Sequence, residues 1–244
     1  MAGSEAGSEA AVEIRQLFHL DEFDAVVDLQ RTIWGFADLE LLPLRFLVVV
    51  SKVGGHVFGA YDGPRMIAFC FAIPGIKSDG MPYLHSHMLG VLPEYRNAAI
   101  GRRLKLRQKE DAVNRGIKLI EWTFDPLELK NAFLNIEKLG AIVRRYAPNQ
   151  YGMTSSPLHG GLPTDRCIAE WWLDRRALPQ PAQFTVRISY PANIADIRSQ
   201  DPARARAIQK ENAEKFQAAF AQGLAVTHFE RTETEGTYLL EPWQ

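Results

Sequence analysis

The sequence predicts an α/β fold of the mixed type, in which a sheet of antiparallel and parallel strands carries helices on its faces. Three observations lead there. Apolar residues recur at helical spacing in the first part of the chain; two β-rich runs joined by Asp62-Gly63 follow; strand-like and helix-like segments then alternate. The chain has 244 residues, 46% hydrophobic and 23% charged, the composition of a protein that buries a substantial core.

The first eleven residues contain a doubled Gly-Ser-Glu-Ala without the basic start or apolar stretch of a signal peptide, and read as a flexible tail. From Leu20 to Trp34, Phe23, Val26, Val27 and Trp34 keep a helical repeat that Gln30 interrupts. A second, more apolar helix is expected from Leu44, after Pro43, to Val53, with Gly54 and Gly55 as its stop. The period then drops to that of strands on either side of Asp62-Gly63, a hairpin signal, and Pro82 to Val91 supplies a third strand. A helix is expected from about Ile100 to Asn114, a strand through "IKLIEWTF", a helix from Asn131 to Leu139 stopped by Gly140, and a strand from Ala141. "CIAEWWL" completes the series. The break "RRALPQPAQ" divides a main domain, residues 12–178, from an extension, residues 179–244. The extension reads as β-α-β: Asp201-Pro202 starts a helix, and "LAVTHFER" and "TYLLEPW" close the chain.

Several classes of function are disfavoured. A formal net charge of −1 with dispersed basic residues is not the cationic footprint of a nucleic-acid binder. Cys70 and Cys167 stand far apart in apolar surroundings, so reduced buried thiols are expected and neither a zinc site nor any other metal is. The apolar run "FLVVV" is too short to span a bilayer, and a cytoplasmic protein without a membrane partner is expected. Neither Gly-x-x-x-x-Gly-Lys-Ser/Thr nor Gly-x-Gly-x-x-Gly is present, which argues against a nucleotide kinase or a dinucleotide dehydrogenase.

The segment "HSHMLGVLPEYRNAAIGRRL", His85 to Leu104, concentrates the chemistry. Strand alternation puts His85 and His87 on one side, with Leu89 and Val91. Arg96 opens a run of small residues that leads straight into a helix, and the unpaired N–H groups of a helix N-terminus suit an anion such as a diphosphate.

Arg96, Asn97, Ala98, Ala99, Ile100 and Gly101 resemble the acyl-CoA-binding pattern Arg/Gln-x-x-Gly-x-Gly/Ala of the GCN5-related N-acetyltransferase (GNAT) superfamily. The departure is Ala99 at the middle glycine, tolerable if that residue need not adopt positive φ. "NAFLNIEKLGA", opening at Asn131, resembles the family's second signature, with Ile136 where the family usually has the tyrosine that protonates the departing thiolate. Together the two motifs cover roughly residues 12–175 in element order.

The resemblance implies an acyl-CoA N-acyltransferase fold that uses acetyl-CoA or another acyl-CoA. Leu89, Gly90 and Val91 would offer backbone donors, Arg96 to Gly101 with Arg102 would hold the diphosphate, and Asn131 would lie near the thiol end. His-x-His at this distance before the arginine resembles arylalkylamine N-acetyltransferases, in which the pair relays the amine's proton. A base is required because an alkylammonium cannot attack a thioester until it loses a proton, and imidazole titrates in the useful range. Tyr146 and Tyr151 are candidate acids, with no spacing argument to choose between them. The expected acceptor is a small amine or amino acid; the alternative is a non-catalytic acyl-CoA-binding module.

Arg102, Arg103, Lys105 and Arg107 could reach the 3′-phosphate of coenzyme A, although such a run more commonly forms a solvated helix face. Trp171 and Trp172 could line the acceptor site, with one of them more simply in the core, and Arg144 and Arg145 could meet an acceptor carboxylate or form a charged strand end. The extension would cap the acceptor site or build a homodimer interface.

Overall fold

The computed structural model describes residues 12–152, 160–174 and 184–243, so the N-terminal tail, part of the Pro157 to Pro163 loop and the boundary at 178/179 lie outside the described residues. The elements run β1 (Glu13–Gln16), α1 (Leu20–Trp34), α2 (Leu44–Lys52), β2 (His56–Asp62), β3 (Arg65–Ile76), β4 (Pro82–Val91), α3 (Ile100–Asn114), β5 (Leu119–Phe124) and α4 (Leu129–Phe133). They continue as β6 (Ile142–Ala147), β7 (Arg166–Trp172), β8 (Val186–Pro191), α5 (Ile194–Gln200), α6 (Pro202–Ala221), β9 (Leu224–Arg231) and β10 (Glu235–Pro242).

Local chemistry sets the helix ends. The Glu22 carboxylate accepts from the N–H groups of Phe18 and His19 and so satisfies donors at the start of α1, while Gly35 ends that helix in the left-handed conformation. Gln30, which interrupts the apolar repeat, is fully buried and exchanges two hydrogen bonds with the backbone of Leu42. At Gly55 a Cβ would lie 2.4 Å from the Ala72 carbonyl oxygen, so the turn out of α2 requires glycine.

Ten strands form one sheet in the order β1-β2-β3-β4-β5-β7-β6-β9-β10-β8, and among these neighbours β4 and β5 form the parallel pair. α1 and α2 cover one face, where Trp34 meets Phe69 edge-on and Phe46 meets Phe71. α3 covers the other face with Leu104 against Cys70. One core cluster joins Trp122 and Phe124 of β5 to Phe216 of α6 and Tyr238 of β10, so the extension shares both the sheet and the core of the preceding residues. Its described part runs β8-α5-α6-β9-β10, one helix and one strand more than β-α-β, and β8 and α5, like β1, cover residues for which the sequence predicts no element.

Candidate active site

β4 and β5 pair only at Leu84 with Ile120 and His85 with Glu121, after which the strands part. Leu92 N–H bonds to the Ile67 carbonyl, and strand alternation then turns the N–H groups of Leu89 and Val91 away from β3, toward the opening. The break comes with a β-bulge. Phe71 pairs with Met88 and Ala72 with Ser86, which leaves His87 as the extra residue on β4.

The bulge corrects the expected side-chain alternation. His85 and His87 do share a face, with ring centroids 5.8 Å apart, and His87 contacts Phe71 on the α1/α2 side. Leu89 and Val91 face Gly101 on the α3 side, opposite the histidines, because one extra residue inverts the register. Gly90 points toward α1, where a Cβ would come within 2.8 Å of Ile33 and Trp34.

Burial and the neighbouring charges of His87, Lys105 and Lys77 push the His85 imidazole down to about 4. Burial alone lowers His87. Both are therefore neutral near pH 7. Beside His85 on the same face stands the buried Glu121, and Glu170 of β7 pairs with Glu121 in register. Lys77 and Arg145 are ion-paired to Glu121, and Arg144 and Arg145 to Glu170. Sequence reasoning missed this carboxylate row, although a glutamate inside each apolar run, "LIEWTF" and "IAEWW", was a signal for it.

After β4, a short 3-10 turn, Pro93–Tyr95, is fixed by Tyr95 Oη donating to Asp62 and by the Arg65–Glu94 ion pair. Arg96, Asn97, Ala98 and Ala99 are exposed, with Arg96 Nε directed at the Val91 carbonyl at 3.4 Å. Asn97 has φ 69° and Ala99 φ 57°, so the condition on which alanine was tolerable at the middle position is not met: Ala99 sits in the left-handed region that glycine occupies without strain. Arg103 N–H makes its helical bond to the Ala99 carbonyl, which leaves the N–H groups of Ile100, Gly101 and Arg102, in the first turn of α3, without a partner among the described residues. A Cβ on Gly101 would touch Leu89 only at 3.4 Å, so packing against β4 does not by itself demand glycine there. Exposed backbone, unpaired donors and Arg96 together fit a diphosphate.

Among the basic residues of α3, Lys105 is buried, which removes it as a ligand for an external phosphate. Its Nζ donates to Ser86 Oγ at 2.8 Å and lies 3.7 Å from the centre of the Trp122 ring, beneath the place where β4 and β5 part. Ser86 Oγ in turn donates to Gln108 Oε1. Burial pushes the Lys105 ammonium down to about 7.

The two tyrosines separate clearly. Tyr146 donates to Asp165 and stacks on Phe216 of α6, on the face opposite the histidines, and burial raises its hydroxyl far above the ordinary range; it is withdrawn as an acid. Tyr151 lies within hydrogen-bond distance, 2.9 Å, of Thr123 Oγ1 on β5, on the histidine face. Ile136 is buried and brings no hydroxyl, and Asn131 is exposed on α4. Trp171 is in the core against Trp122, whereas Trp172 lies on the histidine face and donates to Glu170.

No family model and no curated protein matches the sequence. Solved structures do match. An acetyltransferase assigned to the GNAT family from Desulfovibrio desulfuricans has a TM-score of 0.52 at 17% identity, over 67% of this chain and 99% of its own. The ribosomal-protein-S18-alanine N-acetyltransferase of Escherichia coli has a TM-score of 0.53 at 17% identity, over 71% and 99%. The yncA protein of Salmonella typhimurium, solved with acetyl-CoA, has a TM-score of 0.53 at 16% identity, over 70% and 99%. These matches leave roughly a third of the present chain uncovered.

Proposed function

From a chain that has the fold of the GNAT acetyltransferases, we propose an acyl-CoA-dependent N-acyltransferase acting on the amine of a small molecule or amino acid. The observation that carries this reading is the parting of β4 and β5 at His85 and Glu121, with the Leu89 and Val91 N–H groups turned into the opening and two neutral imidazoles at its mouth. The unpaired first turn of α3 beside it supports a diphosphate-bearing acyl donor such as acetyl-CoA.

In this reading the acceptor ammonium gives a proton to an imidazole. His87 is the better acceptor, because His85 carries the added repulsion of Lys105, Lys77 and His87 itself. The neutral nitrogen attacks the thioester carbonyl, and the C–N bond forms as negative charge builds on oxygen, within reach of the strand N–H groups. Collapse breaks the C–S bond; the nitrogen releases its second proton as the amide forms, and the departing thiolate takes up a proton through Tyr151 or water.

Thiol release from acetyl-CoA and succinyl-CoA over an amine and amino-acid panel tests the reading. His87→Ala lowers kcat by about 10² or more with coenzyme affinity retained. Unchanged turnover in both this variant and His85→Ala rules out the histidine base. Ala99 in place of glycine and Ile136 in place of tyrosine favour a second reading, a non-catalytic acyl-CoA-binding module, which tight coenzyme binding without turnover of any amine would support.

A further inference from the structure

His85, Glu121 and Glu170 form one row across β4, β5 and β7, and with strands about 4.8 Å apart Glu170 stands roughly 10 Å from His85. Glu170, at the end of the row, lines a cavity of about 410 Å³ where β6 meets the extension, together with Arg144, Arg145, Phe220, Leu224 and Trp243. A register shift in β6 at Arg144 allows two consecutive arginines to reach Glu170.

The charges there do not balance. Among the described residues the carboxylates that Lys77, Arg144 and Arg145 meet are Glu121 and Glu170, two negative charges for three positive ones. Both carboxylates are buried, at 5% and 2% side-chain exposure, whereas Arg144 and Arg145 are 38% and 45% exposed, so the excess faces the cavity. Glu170 already accepts from both arginines and from Trp172 Nε1, and has little capacity left for a cationic ligand. Nη1 of each arginine makes no hydrogen bond among the described residues, and two guanidinium edges beside an apolar wall suit a carboxylate on a methylene chain.

We propose that this cavity is the carboxylate subsite of the acceptor: Arg144 and Arg145 hold the carboxylate of an amino acid whose distal amine reaches His85 and His87. The inference rests on the acyltransferase reading above and narrows its acceptor to ω-amino or diamino acids acylated on the far nitrogen. An α-amine, adjacent to its carboxylate, does not bridge the row.

Steady-state rates with 6-aminohexanoate and with hexylamine, a length-matched amine without a carboxylate, provide the test. The wild-type protein is expected to prefer 6-aminohexanoate by about tenfold or more in kcat/KM, mostly through KM, as suits one charge-assisted contact. Arg144→Gln collapses that ratio toward one. Trp243→Ala, which leaves the ion pairs intact, lowers it as well and serves if the arginine variant does not fold. Equal kcat/KM for the two acceptors in the wild-type protein overturns the subsite and leaves acyl transfer standing. If no amine is turned over, the acyltransferase reading fails and calorimetric titration with hexanoate decides the subsite alone: binding weakened by Arg144→Gln supports it, and absent or unaltered binding overturns it.

Discussion

At the residue scale, two positions carry what strand and helix patterns cannot express. Ala99 matches the loop motif by size, yet its positive φ emerges only when the turn is built, because φ depends on how the chain must enter α3. Lys105 sits in a basic run that reads as a solvated face, although Ile100, Leu104, Gln108 and Ala112 recur every fourth residue and Lys105 adjoins that stripe. Its burial has a measurable consequence. The ordinary ammonium value of 10.5 falls to about 7 in the folded protein, so between these values the unfolded chain binds more protons and stability rises with pH. The penalty is full below about pH 7 and gone above about pH 10.5. Lys105→Met is therefore expected to raise the thermal midpoint more at about pH 6 than at about pH 10. A difference that does not vary with pH would sink this account.

At the scale of elements, α1, β4 and α3 have the bounds their spacing predicts, since long periodic segments with clear breakers identify themselves. The bulge at His87 was not legible: a period-two reading cannot register one extra residue, and the error turned Leu89 and Val91 to the wrong side of the histidines. β1 and α5, four and seven residues long, are too short to establish a period. Gly90 illustrates how element packing reassigns a motif residue. Its lack of a side chain serves the approach of α1, because a Cβ would press on Ile33 and Trp34 at 2.8 Å. Gly90→Ala is expected to lower stability by about 1–3 kcal/mol, read as a shift in the urea midpoint. A midpoint within error of the wild type would show that α1 yields at no cost.

At the scale of the whole molecule, the extension is continuous with the rest. Punctuation at "RRALPQPAQ" suggests a boundary, yet β9 adjoins β6 at Val226 and Val143, and Phe216, Phe229 and Tyr238 share a core cluster with Trp122 and Phe124. Tyr146 of β6 stacks on Phe216, Glu137 accepts from the Phe229 N–H, and Tyr238 Oη donates to the Pro126 carbonyl. Removing the extension would expose those aromatic faces and leave the edge of β6 unpaired. Such side chains each contribute about 1.5–3 kcal/mol on burial, and a domain is stable by only about 5–15 kcal/mol, so losing several of them exceeds the margin. A chain ending at Asp174 is therefore expected to lack a cooperative unfolding transition, and the full chain to unfold in a single one coincident by far-UV and aromatic signals. Two separated transitions in the full chain, or a cooperative one in the shortened chain, would make the extension an independent module. The cavity formed with Phe220, Leu224 and Trp243 would then belong to an interface between two bodies.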